Sequence, residues 1–252
     1  MTAFTVIIPA RYGATRLPGK PLLELAGQPV IAHVWQRACE SGAERVIIAT
    51  DDPRIETVAQ QLGAEVCLTR SDHRSGTDRL AEVATKRQLA DDEIIVNLQG
   101  DEPLMPPDLL KQVASMLAAA PMAAMATLAT AITDSADYVD PHTVKVVSDH
   151  HGRALYFSRA AIPFARDSQA HAGIPTAAQR HLGIYAYRVS FLQRYADLPS
   201  SPLEALEQLE QLRALQAGEW IQVAQATQIP GPGIDTPADL SAAEAQINAL
   251  GK

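Results

Sequence analysis

The chain has 252 residues, a formal net charge of −8 and 47% hydrophobic residues, which is an ordinary composition for a soluble globular protein. The acidic balance argues against nucleic-acid binding, because proteins with that role usually present a basic surface to the phosphates. No apolar stretch approaches the roughly 18 residues of a membrane-spanning helix, and no signal-peptide pattern precedes the first strand. The two cysteines, Cys39 and Cys67, make neither a metal spacing nor a disulfide framework, so we expect a reduced, cytoplasmic protein.

The first half of the chain alternates strand and helix patterns. Apolar strand patterns lie at residues 4–8, 45–50, 64–69 and 93–98, and helical patterns lie between them at about 29–41, 53–62 and 77–90. This alternation predicts a doubly wound α/β fold with a mostly parallel sheet, whose ligands collect at the carboxyl ends of the strands. The segment 117–132, interrupted by Pro121, is predicted to end a helix and begin a strand.

The second half changes to strands with fewer helices, which predicts a smaller, partly antiparallel part. Its strand patterns lie at 123–132, 143–148, 153–158, 181–188 and 219–226. Ser201 as N-cap, Pro202 at the first position and Glu204 in a capping box predict a helix whose leucines, 203 to 215 at every third position, face the core. A Pro/Gly turn at 230–233 precedes a last helix from Pro237. We see no domain boundary, and predict a single domain over residues 1–252.

The loop after the first strand is a candidate anion site. The run from Phe4 breaks at Pro9 into a segment with several turn residues and three cations, Arg11, Arg16 and Lys20. Neither the P-loop pattern nor the dinucleotide pattern of glycines is present. The segment suits a triphosphate, although for an isolated loop of this kind a surface loop with solvated arginines is the commoner interpretation.

Two carboxylates are candidate ligands for Mg²⁺, which prefers oxygen donors. Asp101 follows the strand pattern ending near Leu98, and Asp235 follows the Pro/Gly turn. Each also has a structural interpretation, since Asp101 fits a turn before Pro103 and Asp235 fits the N-cap of the last helix. Both interpretations stay open.

Residues 73–79, which read His-Arg-Ser-Gly-Thr-Asp-Arg, come between a strand and a helix. Small and basic residues at a helix N-terminus bind anions and polar rings readily. Capping of the helix by Thr77 is compatible with that role.

Together these motifs resemble those of the 3-deoxy-manno-octulosonate (Kdo) cytidylyltransferases, the CMP-Kdo synthetases. The segments that carry the resemblance are IPARY (8–12), RLPGKPL (16–22), ATDD (49–52), HRSGTDR (73–79), NLQGDEP (97–103), YFSRAAIP (156–163), HLGIY (181–185) and GIDTP (233–237). The resemblance runs from the first strand to the last helix. It implies the fold of the nucleotide-diphospho-sugar transferases, with a nucleotide-binding half over about 1–121 and a sugar-binding and dimerisation half over about 122–252.

The resemblance also implies an activity and a set of site residues. CTP would activate Kdo, giving CMP-Kdo and pyrophosphate for lipopolysaccharide synthesis, with Mg²⁺ as cofactor and a homodimer as the assembly. Arg11, Lys20, Asp101 and Asp235 would be catalytic, the last two as metal ligands. The nucleotide would meet Ala10, Arg11, Lys20, Arg74, Ser75, Gly76 and Asp101. The sugar would meet Gln99, Arg159, His181, Tyr185, Glu210 and Gln211.

The chemistry of the sugar agrees with that set. Kdo carries a carboxylate, for which Arg159 is the candidate cation, and several hydroxyls, which suit uncharged partners such as Gln99 and Tyr185. His181 has the alternative interpretation of a core histidine. No side chain is nominated as a general base.

Other functions remain alternatives. A cytidylyltransferase for sialic acid or a methylerythritol would share the fold class, but its loop patterns are not recognised in this sequence. A glycosyltransferase would need an Asp-x-Asp motif, which residues 99–102 do not supply. A non-catalytic binding protein of the same fold is disfavoured by the pair Asp101 and Asp235.

Overall fold

The computed structural model describes residues 2–13, 17–73, 75–166, 177–199 and 201–250. The strands are β1 (Thr5–Ala10), β2 (Glu24–Leu25), β3 (Gln28–Pro29), β4 (Arg45–Thr50), β5 (Glu65–Leu68), β6 (Ile94–Asn97), β7 (Met125–Ala131), β8 (Lys145–Ser148), β9 (Ala154–Ser158), β10 (Gln179–Arg188) and β11 (Ile221–Gln225). The helices are α1 (Val30–Glu40), α2 (Pro53–Gln61), α3 (Gly76–Lys86), α4 (Pro107–Ala119), α5 (Ser135–Val139), α6 (Val189–Tyr195), α7 (Pro202–Glu207), α8 (Gln211–Gln216) and α9 (Pro237–Leu250), with a 3₁₀ turn at Lys20–Leu22.

A nine-stranded sheet runs through both halves of the described chain. Its main path has the order β11-β7-β10-β6-β1-β4-β5, and β8 and β9 attach beside β10. Strands β1, β4, β5 and β6 pair in parallel, whereas β10 pairs antiparallel with both β6 and β7. The predicted fold class, mostly parallel with a partly antiparallel second half, is confirmed. β2 and β3 form a separate two-stranded sheet.

The sheet is buried on both faces, as expected for strands covered by crossover helices. Alternation along β1 shows this directly, since Val6 and Ile8 pack into the cluster with helices α1 and α4, and Ile7 packs into the cluster with α3 and α6. The predicted end of the strand at Pro9 is wrong by two residues. Pairing of β1 with β4 continues through Ala10, whereas pairing with β6 stops at Ile7.

The predicted continuous helix after Ser201 is also wrong. It is divided into α7 and α8, because Gln208 adopts a left-handed conformation with φ of 54°. Leu206, expected in the core, is 81% exposed. The Ser201 hydroxyl does accept the Glu204 N–H at 3.0 Å, but the Glu204 carboxylate binds Arg213 instead of completing the capping box.

The ends of β1 and β6 meet where the strand order changes direction, between the strands that run outward to β5 and those that run to β11. Gly100 makes this approach possible, because a Cβ atom on it would lie 2.8 Å from the carbonyl oxygen of Pro9. Among the described residues, no helix is long and apolar enough to cross a bilayer.

Candidate active site

The first cavity, of about 410 Å³, lies at the carboxyl ends of β1 and β6. Its lining includes the predicted residues Ala10, Arg11, Lys20, Gly76, Gln99, Asp101 and Asp235. The predicted residue Arg74, like Arg16 of the basic loop, lies outside the described residues. Parallel strands that end at one edge of a sheet therefore bring most of the predicted nucleotide and metal residues together.

The basic loop is shaped so that Lys20 turns inward. The Gly19 N–H donates to the Tyr12 carbonyl at 2.9 Å, and Gly19 has a φ of 72°, a conformation that favours glycine. The 3₁₀ turn that follows begins at Lys20, whose side chain is only 10% exposed.

The Lys20 ammonium lies between the two candidate metal ligands. Its Nζ donates to Asp101 Oδ2 at 2.8 Å and to Asp235 Oδ1 at 3.1 Å. Burial alone would lower the pKa of Lys20, but the charges and hydrogen bonds of the two aspartates raise it above its ordinary value. The Asp101 and Asp235 side chains are 34% and 48% exposed.

The helix-cap interpretation of Asp235 is weakened by its neighbours. Thr236 Oγ1 accepts the Asp239 N–H at 3.3 Å, and the Asp239 carboxylate accepts the N–H groups of Asp235 and Thr236 at 3.0 and 2.8 Å. Thr236 and Asp239 thus cap α9. The segment is held against the loop after β6 by the Ile234 N–H, which donates to the Asp101 carbonyl at 2.8 Å.

Two charged residues near this cavity were not predicted as site residues. Burial, with the negative charges of Asp101 and Asp235, raises the pKa of Glu102 to about 8. Arg79 lines the cavity and is fully buried, with its guanidinium 3.0 Å from Asp51, and burial lowers its pKa. The one available signal was their position, since each lies within a motif segment that carries the family resemblance.

The N-terminus of α3 adjoins the first cavity, which Gly76 lines. Ser75, and not Thr77 as predicted, caps this helix: its hydroxyl accepts the Asp78 N–H at 3.1 Å. Thr77 is the second residue of α3 and already lies within the helix, so it does not occupy the cap position. Its hydroxyl instead donates to Glu210 Oε2 at 3.0 Å.

The second cavity, of about 380 Å³, lies between β10 and the break before α8. Its lining includes five of the six predicted sugar residues, Gln99, His181, Tyr185, Glu210 and Gln211. Gln99 and Glu210 line the first cavity as well, so the two cavities meet at these side chains. The division of the predicted helix explains the placement of Glu210 and Gln211, which lie where α8 begins.

Arg159 is the predicted sugar residue that the structure does not place in either cavity. Its Nε donates to the Glu207 carbonyl at 2.7 Å, and its Nη1 donates to the Pro141 carbonyl at 2.8 Å. The guanidinium is therefore engaged by the main chain on two sides.

The hydrogen bonds of His181 define its tautomer. The Thr127 hydroxyl donates its single proton to the carbonyls of Leu182 and Ile184, at 3.0 and 2.8 Å, so it must accept from His181 Nε2 at 3.0 Å. Nδ1 is left as an acceptor. Burial lowers the pKa of His181 to about 3, so the ring is neutral at neutral pH.

Among the described residues, two buried side chains that line the second cavity each have a polar atom without a hydrogen-bond partner. Within the described residues, no hydrogen bond satisfies Tyr185 Oη or Gln211 Nε2, although both atoms are buried. Burial raises the pKa of the Glu210 carboxyl, and the Thr77 hydroxyl partly offsets that effect. Unpartnered buried donors and acceptors are rare, and a ligand rich in hydroxyls would satisfy them.

A family model described as "Cytidylyltransferase" matches residues 5–221 of the chain. A 3-deoxy-manno-octulosonate cytidylyltransferase of Halorhodospira halophila is 56% identical over 246 residues, covering 95% of each chain. The enzyme of that name from Proteus mirabilis is 55% identical over 249 residues, covering 98% of each. The protein thus belongs to the cytidylyltransferases, and within them to the 3-deoxy-manno-octulosonate cytidylyltransferase family.

Solved structures agree with this placement. A CMP:2-keto-3-deoxy-manno-octonic acid synthetase complexed with CTP is 44% identical, with a TM-score of 0.91, and the match covers 99% of this chain and 100% of that one. A cytidylyltransferase from Leptospira borgpetersenii, 18% identical with a TM-score of 0.63, shares the fold.

The neutral His181 predicts a pH dependence of stability. Its folded pKa of about 3 lies below the unfolded value, so as the pH falls the unfolded chain takes up a proton that the folded protein does not. From pH 7 to pH 5 the free energy of unfolding should fall by about 1–2 kcal/mol more in the parent than in His181→Gln. Urea unfolding at both pH values measures this, and equal losses in the two proteins would contradict the buried, neutral histidine.

Proposed function

We propose that this protein activates Kdo with CTP, giving CMP-Kdo and pyrophosphate for lipopolysaccharide synthesis. The observation that carries the proposal is the pair of cavities that meet at Gln99 and Glu210, one lined by cations and carboxylates, the other mostly by neutral polar groups. A triphosphate suits the first and a polyhydroxylated acid suits the second. The relatives' names give the particular nucleotide and sugar.

The reaction joins two anions. The anomeric hydroxyl of Kdo attacks the α-phosphorus of CTP, the bond to the β-phosphate oxygen breaks, pyrophosphate leaves with that electron pair, and the hydroxyl proton is lost to solvent. Repulsion between the nucleotide and the acidic sugar opposes this encounter, so catalysis depends on orientation and charge neutralisation. Arg11 and Lys20 are the described cations of the first cavity that would meet the phosphates, together with the N-terminus of α3 beyond Ser75.

Asp101 and Asp235 fit a Mg²⁺ ion. They are hard oxygen donors, and a cation, the Lys20 ammonium, already lies between them. Among the described residues no group of three or more metal-ligating side chains occurs, so phosphate oxygens would complete the coordination. When bound, Mg²⁺ would neutralise the phosphates and favour ionisation of the attacking hydroxyl.

We also propose a homodimer. Val139, Leu155 and Phe164, of the antiparallel half, are 66%, 58% and 85% exposed, and contact with a second copy could bury such apolar side chains. Sedimentation equilibrium tests this, with twice the chain mass as the supporting result.

The substrate assignment is tested by pyrophosphate release from CTP and Mg²⁺ with Kdo, with sialic acid and without sugar. Kdo should react far faster than sialic acid, because the second cavity assembles the residues of the Kdo pattern. Removal of Mg²⁺ by chelation should abolish release, because the charge of the triphosphate would be left unneutralised. ATP in place of CTP is the control for base preference, and comparable rates with Kdo and sialic acid would refute the proposal.

A further inference from the structure

The loop between β1 and the 3₁₀ turn supplies two of the cations that line the first cavity, Arg11 and Lys20. Each of them is next in the sequence to a residue that does not line the cavity, Tyr12 beside Arg11 and Gly19 beside Lys20. The contact between Tyr12 and Gly19 therefore affects how the two cations are held relative to each other.

Tyr12 and Gly19 close the neck of this loop in two ways. The Gly19 N–H donates to the Tyr12 carbonyl at 2.9 Å. The Tyr12 ring also packs directly on Gly19, since a Cβ atom on that residue would lie 3.1 Å from ring atom Cε2. Any side chain at position 19 would have to shift the ring, so the glycine is needed for this packing as well as for its φ of 72°.

Arg54 of α2 stacks on the same tyrosine ring. Its guanidinium carbon lies 3.3 Å from the centroid of the Tyr12 ring, in a cation–π contact. The register of the sheet explains how they meet, because β1 and β4 pair in parallel up to Ala10 and Thr50. Tyr12 and the start of α2 each follow that pair within three residues, so the parallel strands bring them to the same place.

The orientation of the Arg54 guanidinium is fixed by Asp52, the N-cap of α2. The Asp52 carboxylate accepts from Arg54 Nη2 at 2.7 Å and from Nε at 3.0 Å, which is a bidentate pair. It also accepts the Arg54 N–H at 2.9 Å. Arg54 lines neither of the joined cavities, so its contact with the basic loop is made through Tyr12.

We propose, on the basis of the proposed function, that the stack of Arg54 on Tyr12 positions the cations that bind the triphosphate. The stack and the Gly19 contact fix the neck of the loop, and with it the spacing between Arg11 and Lys20. Ordering a loop on ligand binding costs conformational entropy, so a loop that is already held at its neck binds the phosphates more tightly. Tyr12 and Arg54 are thus positioning residues and do not touch the substrate.

The test measures the Kd of CTP in the presence of Mg²⁺ by isothermal titration calorimetry. Arg54→Met removes the cation and keeps a long side chain, and it should raise the Kd by about 2- to 5-fold. Tyr12→Leu removes the ring and should raise the Kd by about 5- to 20-fold, whereas Tyr12→Phe keeps the ring and should bind as the parent does. An unchanged Kd in Arg54→Met and Tyr12→Leu would overturn the proposal.

A double variant separates positioning through the ring from a long-range effect of charge. If Arg54 acts through Tyr12, the variant with both Tyr12→Leu and Arg54→Met should bind CTP as Tyr12→Leu alone does. Losses that multiply would show that Arg54 acts on the phosphates by its charge and would overturn the proposal.

Arg37→Met is the matched control for the loss of one positive charge. Arg37 is also an arginine paired with one carboxylate, that of Glu40 at 2.9 Å, and it lines neither of the joined cavities. Its variant should bind CTP as the parent does. Equal weakening in Arg37→Met and Arg54→Met would mean that net charge alone matters, and would contradict the stack.

The same titrations distinguish failure of this inference from failure of the proposed function. The Arg54 side chain is 56% exposed, so Arg54→Met can be compared with Arg37→Met even if Tyr12→Leu does not fold, which urea unfolding would show. A parent that binds CTP beside an unaltered Arg54→Met would overturn the role of the stack alone. A parent that does not bind CTP would overturn the proposed function as well.

Discussion

The ammonium of Lys20 between Asp101 and Asp235 is the interaction on which the rest of the site depends. It joins the loop after β1, the loop after β6 and the segment before α9, which are far apart in the sequence. Two carboxylates so close would repel each other, and a buried cation between them offsets that repulsion. The hydrogen bond from Ile234 to the Asp101 carbonyl and the cap of α9 by Thr236 and Asp239 hold the same assembly from the backbone side.

Charge is divided unequally between the two joined cavities. The first cavity contains Arg11, Lys20 and the two aspartates. Its cations can bind a triphosphate although the protein as a whole has a net charge of −8. The second is lined mostly by neutral polar groups, because burial keeps the His181 ring uncharged. Such a lining can match the hydroxyls of a ligand by hydrogen bonds.

Much of this arrangement could be predicted from the sequence because the strand patterns are clear. Parallel strands end at one edge of the sheet, so residues that follow β1 and β6 must come together, as Lys20 and Asp101 do. The family motifs added residues of β10, and His181 and Tyr185 do line one cavity.

The features of the site that could not be predicted depend on contacts between distant parts of the chain or on small differences in local backbone conformation. The break at Gln208 is hidden because the leucine pattern continues across it, and no glycine marks the left-handed residue. Ser75 and Thr77 are both good caps, and only the helix start decides between them. The direction of a long side chain such as Arg159 is set by the carbonyls it meets in the fold.

The contact that partly buries Glu102 could not be predicted from the sequence either. The turn 230–233 packs against this side chain from more than a hundred residues away, and a Cβ atom on Gly233 would lie 3.0 Å from Glu102 Oε1. Neither segment alone indicates that contact.

The affinity for Mn²⁺, a spectroscopic substitute for Mg²⁺, measured by electron paramagnetic resonance without nucleotide, tests the role of Lys20 most directly. If Lys20 occupies the place of a metal between Asp101 and Asp235, Lys20→Met should bind Mn²⁺ more tightly than the parent, because the competing ammonium is gone. The double variant Lys20→Met with Asp235→Asn should lose that gain, since it removes one ligand charge. Equal or weaker binding by Lys20→Met would contradict a metal site at these two carboxylates.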